Sequence, residues 1–175
     1  MEAIALQWIE SSWLGQLAGK TGWVFGLAET VHFMGLSMLL GAMAVLDLRM
    51  LRIIRRIPIA RLLDLIPLAI VGFTVQLVSG GTMFAAHPGD YWGNMAFRAK
   101  MVLIGIAGLN ALWFWLVELG HVKALAPGEE ARTSAKVVAG LSLGLWLVIL
   151  TVGRLLAYLQ EIDYSTLFGL AGAPA

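Results

Sequence analysis

Trp23–Leu46 reads WVFGLAETVHFMGLSMLLGAMAVL, a run with one acid, one histidine and no lysine or arginine. At about 1.5 Å per residue a helix of this length crosses a hydrocarbon core about 30 Å thick. Three further stretches meet the same criterion: Leu65–Ala86, Ala99–Leu119 and Val137–Leu159. Their connections are a basic segment from Asp47 to Asp64, a Gly/Pro-bearing one from His87 to Arg98, and a Pro-Gly turn region from Gly120 to Lys136. Short links make sequential spans antiparallel neighbours, so the expected fold is all-α, an integral membrane four-helix bundle forming a single domain over residues 1–175.

Composition agrees. Of 175 residues 59% are hydrophobic and 13% charged, against about 25% charged in soluble domains, and the mean hydropathy is +0.83. Four spans leave no room for a soluble catalytic domain. A net charge of +1 argues against a nucleic-acid partner, and the absence of cysteine removes disulfides, thiolate metal sites and cysteine nucleophiles.

Orientation follows from the basic residues. Arg49, Arg52, Arg55, Arg56 and Arg61 lie in the first connection and Lys123, Arg132 and Lys136 in the third, whereas Lys20, Arg98 and Lys100 lie on the other side. The excess marks the cytoplasmic face and puts both termini outside, periplasmic or extracellular. Before the first span, Ile4, Leu6, Trp8, Ile9, Trp13, Leu14 and Leu17 form an amphipathic helix over about 3–18 that is expected to lie along the outer interface. With Glu2 and no basic start, it reads as retained and not as a signal peptide. The small-residue tail Ala171–Ala175 reads as a flexible end or docking strap.

Helices in lipid associate through small residues and polar contacts. Gly22 with Gly26, Ser37 with Gly41, Ala107 with Ala111, and Gly140 with Gly144 are spaced four apart, and Gly72, Gln76 and Gly80 extend such a line with an amide inside it. Gln76 is expected to hydrogen-bond Asn110 on the third span. Ionisable groups inside spans are candidates for function. Glu29 and His32 share a face of the first span, and Arg154 lies in the same layer of the last, so a Glu29–His32–Arg154 cluster is expected, with Glu29 holding the imidazole.

A deep histidine in a bundle suggests haem b, with His32 as one axial ligand and His87 or Met83 as the other. Gly35 would leave room for the macrocycle, and Arg98 and Lys100 would pair with propionates. His121 is at the opposite end and cannot share an iron with His32. A second metal reading assigns copper(I) to Met83, His87 and Met95, with Met34 and Met38 nearby. No phosphate loop, helical zinc pair or nucleophile turn is present, so no enzyme activity is expected.

Two segments carry a family likeness. Glu29–Leu51 (ETVHFMGLSMLLGAMAVLDLRML), with its H-x-x-G and D-L-R-x-L, and Tyr91–Phe114 (YWGNMAFRAKMVLIGIAGLNALWF) resemble a family of small four-span bacterial inner-membrane domains of unknown function. That family is distantly similar to copper-resistance CopD-like and b561-like four-helix proteins. The resemblance implies the fold and a bacterial inner-membrane location, without an activity. Such relatives carry a histidine where Trp115 stands here. Asp47 and Arg49 are expected to cap the first span and pair locally, and Asn94 to cap the third. The sequence thus points first to an accessory or anchoring subunit in contact with lipid and with other membrane subunits or its own copies, possible electron transfer included. Its alternatives are a haem-binding carrier using His32, and copper or small-solute handling at the outer face.

Overall fold

A computed structural model describes residues 2–126 and 129–159. The tail Ala171–Ala175 lies outside these. The described residues are helical, with no strand among them. Four helical stretches are long and apolar enough to span a membrane: Gly22–Met50, Ile59–Ala86, Met95–Lys123 and Thr133–Leu155.

The amphipathic N-terminal segment forms two helices, not one. Ser12 separates α1 (Glu2–Ser11) from α2 (Trp13–Lys20), because its hydroxyl accepts from the Gly15 N–H and caps α2. This arm is docked on the bundle. Gly15 brings α2 so close to the end of the second span that a Cβ there would lie 2.7 Å from the Ala85 carbonyl oxygen. Trp92 Nε1 donates to Glu2 Oε1 at 2.6 Å and fastens the start of α1. Ile4, Trp8 and Trp13 stay exposed, in the place of an interfacial belt.

α3 (Gly22–Met50) runs one turn beyond the apolar stretch and stops at Arg52, whose φ is 65°. The Ile53 N–H reaches back to the Leu48 carbonyl at 2.9 Å and the Arg52 N–H to Arg49 at 3.1 Å, the bonding of a Schellman end with arginine where glycine is usual. α4 (Ile59–Leu62) and one 3₁₀ turn lead into α5 (Ile66–Ala86), whose Pro67 sits in the first turn, where its missing N–H costs nothing. α6 (Pro88–Gly93) is a short connector. α7 (Met95–Trp113) is capped by Asn94, which accepts from the Ala96 N–H at 2.8 Å as expected, and passes through a π turn, Phe114–Glu118, into α8 (Leu119–Lys123). α9 (Thr133–Leu159) completes the bundle.

The main packing is between α3 and α5 and between α7 and α9, and the two pairs join chiefly through α3 and α9. Inward positions recur with a heptad rhythm. They are His32, Gly35, Leu39, Ala42 and Leu46 on α3, then Ala69, Gly72, Gln76, Ser79 and Met83 on α5, and Ala135, Val138, Ser142, Leu145 and Ile149 on α9. This 3-4 alternation is the spacing of shallow left-handed crossings. On α7 the inward positions run Lys100, Leu103, Ala107, Asn110, Phe114 and Glu118, the last step crossing the π turn Phe114–Glu118.

The buried apolar core is concentrated at the arginine-rich end, around Leu46, Met50, Leu62, Phe114, Val122 and Ala135. A smaller cluster of Leu39, Ala42 and Ala69 lies midway. Of the small-residue lines, the one on α5 packs α3 tightly: a Cβ at Gly72 would meet Leu39 N at 2.7 Å. The others differ from expectation. Gly22, Gly26, Gly41 and Gly144 have nothing within 4 Å of a built Cβ, Gly140 only touches Leu51 at 3.8 Å, and Ala107 is buried while Ala111 is exposed.

Candidate functional site

The ionisable residues at inward positions of the spans gather in two places. The first is around His32, in the half of the bundle nearer α1 and α2. His32 Nδ1 lies 3.0 Å from Ser79 Oγ. That hydroxyl has one proton, and it is 2.6 Å from the Val75 carbonyl oxygen, a separation that two lone pairs do not tolerate. The serine proton therefore goes to Val75, and His32 Nδ1–H donates to Ser79. In the neutral ring Nε2 then keeps its lone pair, as in histidines whose first nitrogen is held by an outer partner. Gly80 makes the space, since a Cβ there would lie 3.2 Å from the imidazole Cε1.

Gln76 sits one turn deeper and donates through Nε2 to the His32 carbonyl, joining α5 to α3. The expected Gln76–Asn110 bond is replaced: Asn110 Nδ2 donates to the Val138 carbonyl on α9 at 3.1 Å. Each amide serves its own helix pair, because α5 and α7 share no substantial interface.

The expected Glu29–His32–Arg154 cluster is corrected as well. Ser79, not Glu29, holds the imidazole. Glu29 is exposed and its charge acts on Tyr91, whose phenol burial, Glu29 and Asp90 together push above its ordinary range. The cation whose field reaches His32 is Lys100, at an inward position of α7. Its side chain extends across Gly153 of α9, where a Cβ would lie 3.3 Å from Nζ. Arg154, the next residue, is on the exposed side of α9. Arg98 is exposed too, so Arg98 and Lys100 do not form the matched pair expected for propionates.

Haem fits this site on one side only. His32 offers Nε2, but the room expected at Gly35 is filled by α5, with Val75 Cγ1 at 2.7 Å from a built Cβ and the Gly72 carbonyl oxygen at 3.0 Å. His87 is exposed, two turns from His32, with its ring edge-on to Phe25 at 5.8 Å. Met83 is half-buried on α5. The copper donors do not converge either: Met95 is 69% and Met34 61% exposed. Beside them, Phe84, Tyr91 and Phe97 form an aromatic cluster, with Phe84 and Phe97 stacked at 5.5 Å.

The second place is at the arginine-rich end, and sequence reasoning missed it. Asp47 and Glu118 are 1% and 2% exposed, and among the described residues Asp47 Oδ2 and Glu118 Oε2 accept no hydrogen bond. Asp47 does not pair with Arg49. It is bonded to Ser142 of α9, while Arg49 donates through Nε to the Ile57 carbonyl. Both carboxylates look terminal in the sequence; α3 outruns its apolar stretch, and Glu118 closes the π turn in line with Lys100 and Ala107. Neighbouring Glu130 is exposed and bridges Arg52 at 2.7 Å and Lys136 at 3.0 Å. These two cations hold its carboxyl below the usual range.

Residues 5–159 match the family of unknown function DUF6644, and the chain belongs to that family. No curated protein and no solved structure matches it, so the distant likeness to CopD-like and b561-like proteins gains no support from them.

Proposed function

We propose that this DUF6644 chain is an accessory or anchoring subunit of a larger complex in the bacterial inner membrane, with the arginine-rich end cytoplasmic. The observation that carries this reading is a stripe down α3. Gly22, Gly26, Thr30, Phe33, Ser37 and Gly41 fall at helical spacing, and all six are exposed. Thr30 and Ser37 return their hydroxyl protons to the Gly26 and Phe33 carbonyls, so five small residues make a hydrogen-bond-neutral stripe from which Phe33, 51% exposed, stands out. Small residues are favoured at helix contacts because they let backbones approach, and lipid gives no reason to collect them on an outer face. A partner helix seated there explains the pattern. The docked tryptophan-bearing arm adds a second surface at the membrane boundary.

The test is co-purification in mild detergent from the native membrane, comparing the wild type with Gly26→Leu and Gly41→Leu. Loss of a defined partner band in both variants, with an unchanged melting temperature, supports the reading. Retention of the same partners, or a wild type with none, refutes it. A single cysteine placed at Arg55 is expected to react with an impermeant maleimide only after the membrane is opened.

A second reading, a haem-bearing electron carrier, is favoured by the open Nε2 of His32 alone. It predicts a reduced α-band in the visible spectrum after dithionite, abolished by His32→Ala. A colourless preparation with no haem by extraction removes it.

A further inference from the structure

Glu118 combines deep burial with an oxygen that accepts nothing among the described residues, and the π turn that it closes departs from the regular helix on either side. π turns inside helices recur at functional positions. The residue lines a pocket of about 200 Å³ where α8 leaves the third span and the chain returns to α9. The other walls include His121, Val122, Leu125, Ala131 and Arg132. His121 and Arg132 are exposed at the rim, and neither side chain makes a hydrogen bond or ion pair among the described residues. The pocket therefore has in its wall a buried acid, one oxygen of which lacks a donor, and a basic rim lacking an acceptor. Arg132 does not close on Glu118, although both line the cavity.

A lone cation would satisfy the acid and oppose the rim, and a lone anion the reverse. With a water taking about 30 Å³ of liquid volume, the cavity has room for a group the size of several waters. We propose that this pocket binds a small zwitterion whose ammonium donates to Glu118 and whose phosphate is held by Arg132 and His121. Aminoethyl phosphate has this chemistry, as the headgroup of a membrane lipid or as free phosphoethanolamine. An ammonium N–H donated to a carboxylate and a guanidinium fork on a phosphate are both charge-assisted bonds. The apolar walls match the methylenes between them.

Native mass spectrometry of the full-length protein in detergent tests this, with phosphatidylethanolamine, phosphatidylcholine and phosphatidylglycerol offered in turn. Phosphatidylcholine keeps the phosphate and the positive charge but has no N–H to donate. The wild type is expected to retain phosphatidylethanolamine about tenfold better than phosphatidylcholine, the worth of a hydrogen bond to a charged group. Glu118→Gln, whose neutral amide oxygen accepts more weakly, is expected to reduce that preference several-fold, and Arg132→Gln to weaken retention of both lipids. Displacement of the lipid by aqueous phosphoethanolamine identifies the free compound as occupant; retention against it identifies the headgroup. Equal retention of all three lipids by the wild type overturns the proposal, as does an unchanged preference in Glu118→Gln. Should Glu118→Gln fail to fold, Arg132→Gln at the exposed rim decides: unchanged retention overturns the proposal, and reduced retention upholds it.

Discussion

His32 and Glu118 are ionisable residues at inward positions of the same bundle, and the chain treats them in opposite ways. His32 lies where small residues thin the core, and Ser79, Gln76 and Gly80 have their groups or their space arranged around it. Glu118 lies beside the larger apolar cluster, and among the described residues no donor reaches its Oε2. A buried polar group with a partner contributes to stability and specifies the packing, whereas a buried carboxylate without one costs stability and is kept for another reason. The difference separates a structural polar layer from a position waiting for a ligand.

The largest effect is expected from the surface that presents His32. Gly72→Val would drive a side chain into the Leu39 backbone, which cannot move aside, and is expected to cost about 3 kcal/mol or more. Gly26→Ala, with nothing within 4 Å, should leave thermal unfolding in detergent unchanged. Equal melting temperatures for these two variants would show that α3 and α5 do not meet as described.

The next pair sharpens the contrast directly. Ser79→Ala strands the His32 Nδ1–H and is expected to destabilise by about 1–3 kcal/mol. Glu118→Gln keeps the shape of a side chain whose Oε2 has no partner to lose and is expected to be neutral. Chemical denaturation reads both; equal losses would dissolve the distinction between the two sites.

A smaller effect concerns Tyr91, beside Glu29. Its folded-state phenol titrates above the ordinary 10.0, so its contribution is intact below that pH and lost as pH rises through the raised value. Tyr91→Phe should flatten the alkaline fall in melting temperature. The smallest belongs to Arg52. Arg52→Gly relieves a left-handed backbone worth about 1 kcal/mol and forfeits one exposed, solvent-screened ion pair, so unfolding should shift by no more than about 1 kcal/mol.

Much of the fold was legible because length and hydropathy decide it: four apolar runs leave a chain in lipid little choice but helices. The Asn94 cap was legible for the same local reason. Which faces turn inward was not. Spacing of four marks a small-residue line on α3 and on α5 alike, and only the three-dimensional register shows that Gly72 packs while Gly26 does not. Histidine at position 32 announced itself as a polar group in an apolar run, but its partner Ser79, a common small residue in a span, carried no signal. Glu118 was passed over because it stands at the end of its apolar run, where an acid reads as interfacial. At 3.6 residues per turn it lies in line with Lys100 and Ala107, so its inward position was there in the spacing.

The measurement that tests the account most directly is the nitrogen NMR of His32 in histidine-labelled protein, assigned by comparison with His32→Gln. The Ser79 geometry predicts a protonated Nδ1 and a bare Nε2 at neutral pH, with the Nδ1 signal altered in Ser79→Ala. A protonated Nε2 beside a bare Nδ1 would contradict it, because the Ser79 proton would then face the imidazole and the Val75 contact would be left without a donor.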